Sequence, residues 1–290
     1  MTPVQNVLQA RARLGEGPIW DSASSRLYWV DIYNHRVHWF NPATRGTKFY
    51  DVGHTVGAIA TTTAGRLIMA QRHRLAFLNP GTGRVDPIRD IEADLPHNRF
   101  NDGKCDAQGR FWFGSMCTEG PKGSLYRYDP DGALHQMETG LTISNGLGWS
   151  PDQRYFYLAD SSLQHIYRYD YDAVSGAIAN RRVHIDLTAE SFFPDGLTVD
   201  AEGCLWVAMW DGWRVQRFDP EGQPLAKIPV PVQRPTSCTF GGKNLQTLYI
   251  TSASVGLSEA EIEQSFFSGD LFTFEAGVCG LPAAPFRETP

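Results

Sequence analysis

The chain has 290 residues, 42% of them hydrophobic and 12% aromatic, including eight Trp, eleven Tyr and sixteen Phe, so apolar area is ample and disorder is excluded. A formal net charge of −6 without a long basic run argues against a nucleic-acid partner. Glycine (28) and proline (18) exceed average use and point to many turns.

Met1 to Arg13 lacks the apolar stretch of a signal peptide, and no window approaches the roughly 18 apolar residues of a membrane span, so a cytoplasmic chain without membrane contact is expected. The five cysteines, Cys105, Cys117, Cys204, Cys238 and Cys279, are scattered with no Cys-x-x-Cys pair, and buried reduced thiols are expected for all of them.

A repeat runs through the chain. Each copy opens on a small residue and a short apolar run, then turns into an aromatic-rich run. The first copy is Gly17-Pro18-Ile19-Trp20 followed by Arg26-Leu27-Tyr28-Trp29-Val30. Later copies open at Gly57, Gly103, Gly146, Gly196 and Ser237, so successive starts lie 40, 46, 43, 50 and 41 residues apart. A third run follows in each copy, such as Arg36-Val37-His38-Trp39-Phe40, and most end on Asn-Pro or Asp-Pro turns. These segments are short, rich in β-branched and aromatic residues and bounded by turn formers, which makes them strands. Six copies of about four strands predict an all-β, six-bladed β-propeller filling residues 1–290 as a single domain. Val4 to Ala12 is expected to supply the outer strand of the last blade and close the ring. The one helical signal is Leu257 to Phe266, with Ser258 as N-cap before Glu261.

The inner strand of each blade lines the central channel of a propeller. The residues just before the repeat openings are Glu16, Val56, Asp102, Asn145, Asp195 and Thr236, and four of them carry an acid or amide. Taken singly, Asp-Gly pairs are ordinary turn signals. Converging in a channel, carboxylates repel unless a cation neutralises them. Glu16 and Asp195 with Asn145 as a neutral oxygen donor suit one hard divalent metal ion such as calcium, magnesium or manganese, with zinc and iron left open.

Leu14-Gly15-Glu16-Gly17-Pro18, Asn98-Arg99-Phe100-Asn101-Asp102-Gly103-Lys104, Ile143-Ser144-Asn145-Gly146-Leu147, Pro194-Asp195-Gly196-Leu197 and Cys238-Thr239-Phe240-Gly241-Gly242-Lys243-Asn244 carry a further signal. In this order they span the chain, and as a set they resemble the family of senescence marker protein (regucalcin), gluconolactonases and sugar lactonases. The resemblance implies one divalent metal held by Glu16, Asn145 and Asp195, with substrate contacts at Arg99, Asn101 and Glu119. It also implies Asp195 as the catalytic base and a small-molecule sugar lactone as substrate. The segment Glu119 to Ser124 is shorter than in the animal members. Because coordination weakens a carboxylate as a base, water activated at the metal and steered by Asp195 is the other reading of that step.

No Gly-x-Ser-x-Gly elbow, His-Glu-x-x-His or Walker sequence offers a competing route. Of the eight histidines, His54 is best placed to approach the channel. The recurrent aromatics are expected between blades, with Trp210 and Trp213 as candidates for the substrate side. A phosphotriesterase-like hydrolase and a non-catalytic calcium-binding or interaction propeller are the alternatives. The sequence leaves the oligomeric state open.

Overall fold

A computed structural model describes residues 3–289. Its strands form six four-stranded antiparallel sheets, the blades of a β-propeller. The inner strands are Gly15–Asp21, Val56–Thr61, Asn98–Cys105, Ser144–Trp149, Phe193–Val199 and Pro235–Gly241. All six begin near the residues that the repeat placed at the channel mouth. The N-terminal strand Gln5–Leu8 pairs with Leu271–Glu275 and becomes the outer strand of the sixth blade. That pairing completes the last blade with the first strand of the chain and so closes the ring.

Buried apolar clusters at the blade junctions hold the ring together. One unites Leu14, Ile19 and Val30 of the first blade with Val56, Ile59 and Met69 of the second. Another joins Trp20, Trp29 and Phe40 of the first blade to Tyr249 and Leu271 of the sixth. Four more cover the remaining junctions among the described residues. The repeated aromatics are therefore the packing between blades, as their spacing predicted. Trp112 and Trp206 are also anchored, each donating its indole N–H to the Asp six residues before it, at 2.8 Å (Asp106) and 2.9 Å (Asp200).

The helix is Glu259–Gln264, capped as predicted. Ser258 Oγ accepts from the Glu261 N–H at 3.4 Å, and the Ser258 N–H donates to Glu261 Oε2 at 2.7 Å. The last residues, which the repeat does not describe, run across the end of the ring away from the mouth. Gly280 bridges to Asp200, Phe286 bridges to Thr62, and the Arg287 N–H donates to the Gly109 carbonyl at 3.0 Å. Phe286 is buried and stacks on Tyr128 with centroids 5.6 Å apart. Four of the cysteines are buried thiols, but Cys279 lies in this terminal segment and is exposed, against the expectation for all five.

His38 gives the fold a pH dependence. It lies flat on Trp29 with centroids 4.9 Å apart, and its Nε2 finds no hydrogen-bond partner among the described residues. Burial lowers its pKa to about 4. The unfolded chain takes up this proton near its ordinary value of about 6.5, so stability present above that pH is lost as the pH falls toward about 4. Replacing His38 with Phe is expected to recover roughly 2 kcal/mol of the acid loss. The check is Tm measured from pH 7 to 4.5; parallel profiles for the two proteins would contradict the assignment.

Candidate active site

Every inner strand breaks register where the channel residue sits. The irregularities fall between Glu16 and Ile19, Val56 and Ala58, Phe100 and Gly103, Ser144 and Leu147, Pro194 and Leu197, and Pro235 and Ser237. A bulge re-aims a side chain out of the alternating pattern, and six at one level turn a ring of strands into a ring of converging groups. The small residues that follow have a second purpose. A Cβ on Gly146 would lie 2.4 Å from the Leu197 nitrogen and 2.5 Å from the Asp195 oxygen. One on Gly57 would lie 2.3 Å from the Asn101 oxygen. Asp102-Gly103 and Asp195-Gly196 are thus bulge positions of close strand approach, whereas Asp131-Gly132 and Asp211-Gly212 lie in ordinary turns.

At the mouth lies a cavity of about 460 Å³ lined by Glu16, Arg99, Asn101, Asn145 and Asp195 together with side chains from the surrounding loops. Glu16, Asn145 and Asp195 are all buried, at 6%, 5% and 4% exposure. Asn145 Nδ2 donates to Asp195 Oδ1 at 2.5 Å and to Ser161 Oγ at 3.0 Å. Ser161 in turn donates to the Pro194 carbonyl at 2.7 Å. Asn145 is therefore held with its amide nitrogen spent, while its Oδ1 is buried without a partner among the described residues.

The electrostatics point the same way. Burial, then Asp102, pushes the Asp195 carboxyl up to about 8. Burial, then Asp195 and Asp102, raises Glu16 well above its usual range. Asp102 sits behind the cavity wall with its own carboxyl raised by burial and opposed by Lys104, whose Nζ donates to the Leu197 carbonyl at 2.9 Å. Two acids that resist ionisation beside an orphaned amide oxygen form an oxygen donor set lacking a positive charge. A single hard divalent cation supplies that charge, so the residues fit the group.

Arg99 donates through Nη1 to Asn101 Oδ1 at 2.7 Å and to the Phe100 carbonyl at 3.1 Å, and lies 5.7 Å from the Tyr33 ring centre. Asn101 Nδ2 is tied to the Ser144 carbonyl at 3.0 Å, so this amide braces Arg99 against the next blade.

Glu119 lies outside the cavity lining, half exposed and beside His97 (3.3 Å) and Lys122 (3.9 Å). His54 is exposed and does not line the cavity either. Of the two tryptophans singled out, Trp210 lines the cavity and Trp213 is exposed outside it. Sequence reasoning missed Arg234, Tyr33 and Ser161 on the wall. The one available signal was position: Arg234 immediately precedes Pro235-Thr236, the sixth copy's counterpart of the motif at the mouth.

A second group of possible ligands, Asp200, Glu202 and Cys204, is already satisfied. Asp200 Oδ1 accepts the Glu202 and Cys204 N–H groups at 2.9 Å, and Oδ2 accepts Trp206 Nε1 at 2.9 Å and Arg217 Nη2 at 2.6 Å. It braces a blade turn.

Residues 14–254 match the family described as SMP-30/Gluconolactonase/LRE-like region. The chain is 37% identical to regucalcin of Gallus gallus over 285 residues, 95% of each chain. It is 35% identical to a pentonolactonase of Haloferax volcanii over 287 residues, 96% of each. A solved calcium-binding protein, regucalcin, from Agrobacterium tumefaciens superposes with a TM-score of 0.94 at 28% identity over 98% of each chain. A motif set spanning the whole chain, the propeller and these similarities agree: the chain belongs to the SMP-30/gluconolactonase/LRE-like family.

Proposed function

We propose that the protein is a metal-dependent lactonase that opens the cyclic ester of a sugar acid, converting an aldonolactone to its aldonate. The observation that carries this reading is the buried Asn145 Oδ1, unpartnered among the described residues, in a cavity that Glu16, Asp195 and Arg99 also line. Similarity to a pentonolactonase supports the reaction class. Glu16, Asn145 and Asp195 are the residues that would hold one divalent ion, with the all-oxygen set suiting calcium, magnesium or manganese, zinc and iron as rivals, and availability deciding among them. When bound, the ion supplies a Lewis acid for the ester carbonyl and for the negative charge that develops on its oxygen.

The chain's own groups do the rest. Arg99, braced by Asn101, directs its remaining N–H donors at substrate oxygens and adds positive charge near the ester. Asp195 takes a proton from the attacking water as the water oxygen bonds to the carbonyl carbon. Collapse of the tetrahedral species breaks the ring C–O bond, and Asp195 returns the proton to the departing oxygen as a hydroxyl. The acid formed then releases one proton to solvent. Asp195 must be ionised to act, and a carboxyl at about 8 is mostly protonated at neutral pH. A positive charge within its reach lowers that value, so the donor set and the base are coupled.

The test is a proton-release screen of purified protein, chelated and then reloaded with single cations. The panel holds five- and six-membered aldonolactones and a phosphotriester. Opening of an aldonolactone above the spontaneous rate is the expected result. Preference for the phosphotriester would put a phosphotriesterase in its place, and no turnover of either with any cation would leave a binding propeller.

A further inference from the structure

Arg234 is the cavity-wall charge that neither the repeat positions nor the family resemblance accounts for. It precedes the inner strand of the sixth blade, and only 13% of its side chain is exposed. Three contacts fix the guanidinium. Nε donates to Asp211 Oδ1 at 2.7 Å, Nη1 donates to the Val255 carbonyl, and the group lies 4.8 Å from the centre of the Trp210 ring. Asp211 is itself held by Gln233 Nε2 at 2.9 Å. Nη2 makes no hydrogen bond among the described residues. A locked planar head group on the wall of a cavity, with one amino group free, is a preorganised donor.

The two cavity arginines differ in charge environment. Arg99 is braced by an amide oxygen, a carbonyl and an aromatic ring, with no carboxylate in ion-pair contact among the described residues. Its charge reaches Asp195, whose carboxyl it lowers. Arg234 is paired with Asp211 and has the partly exposed Glu261 in its field as well. Arg234 therefore presents donor geometry with little net charge. Such a group suits a neutral hydroxyl. A carboxylate or phosphate arriving there would meet Asp211 as well as the guanidinium.

We infer that Arg234 is a specificity-determining residue whose free Nη2 donates to a ring hydroxyl remote from the carbonyl. Asp211, by offsetting its charge, favours neutral polyhydroxylated lactones over lactones that carry a second anionic group. This rests on the lactonase reading of the same cavity. A polar wall built for a hydroxyl discriminates by leaving a buried donor unpaired when that hydroxyl is missing.

The experiment compares the reloaded enzyme with Arg234→Met and Arg234→Lys on glucono-1,5-lactone and on δ-valerolactone, the same ring without hydroxyls. Arg234→Met is expected to lose about 30-fold in kcat/KM on the hydroxylated ring, chiefly through KM, and to change by no more than about 2-fold on δ-valerolactone. Arg234→Lys should recover part of the loss. Equal losses on both rings would make Arg234 a structural residue only, and no loss on either would remove it from recognition; both overturn the inference. Should Arg234→Met fail to fold, Asp211→Asn provides the second test. With the charge no longer offset, relative use of a lactone bearing a terminal carboxylate should rise at least about 5-fold, and an unchanged ratio overturns the inference. Wild-type enzyme inactive on every lactone would instead fail the underlying reading, before any variant is compared.

Discussion

Asp195→Asn is expected to lower kcat for lactone opening by at least about 10³-fold while leaving the metal-free protein no less stable than the wild type. The two effects separate because the substitution keeps shape and removes charge. Activity falls since an amide cannot accept the water's proton, and one of two anionic donors is lost. Stability holds since the wild-type carboxyl is buried at 4% exposure beside Glu16 and Asp102 and is pushed up to about 8. Because the folded value lies above the unfolded one, the acid favours the folded state when protonated. That contribution fades as the pH rises from about 4 to about 8. Chelated wild type should therefore lose Tm across that window relative to Asp195→Asn. Full activity in the variant would refute the role of Asp195, and identical pH profiles would refute its electrostatic environment.

Gly146→Ala is expected to cost about 3 kcal/mol or more and to abolish any stabilisation by added cation. The new Cβ meets backbone, with the Leu197 nitrogen at 2.4 Å, the Asp195 oxygen at 2.5 Å and the Gly196 carbonyl carbon at 2.8 Å. No rotamer relieves a clash with main chain, so the inner strands of the fourth and fifth blades must part. Those strands carry Asn145 and Asp195, whose side chains are 2.5 Å apart. Thermal unfolding with and without cation reads both consequences. A variant within about 2 °C of the wild type that still gains Tm from cation would contradict the close approach.

The ring was legible because its cause is periodic. A propeller needs the same apolar faces in every blade, and that demand writes aromatic runs into the chain about every 45 residues. Glu16, Asn145 and Asp195 were legible for the same reason, as equivalent positions of equivalent strands. The purpose of their neighbours was not. Gly146 and Gly196 read as turn formers, and only the packing of adjacent inner strands shows that Gly146 makes room for the backbone of the fifth blade and Gly196 for Ser237 of the sixth. Arg234, Tyr33 and Ser161 reach the cavity from segments joining strands, where length and course differ between blades. His54, near an inner strand in sequence, is exposed with Gly53 in the bend that leads into Val56. Glu119 is directed to His97 and Lys122 in the short connection before Gly123. The terminal crossing that buries Phe286 against the second and third blades belongs to no repeat, so periodicity held no trace of it.

The most direct measurement is the initial rate of proton release from an aldonolactone by protein stripped with chelator, recorded before and after a single divalent cation is restored. If Glu16, Asn145 and Asp195 hold the ion that the reaction requires, the stripped protein runs at the spontaneous rate and restoration returns activity in proportion to sites filled, up to one per chain. Stripped protein that opens the lactone as fast as the reloaded protein would contradict the metal-dependent mechanism.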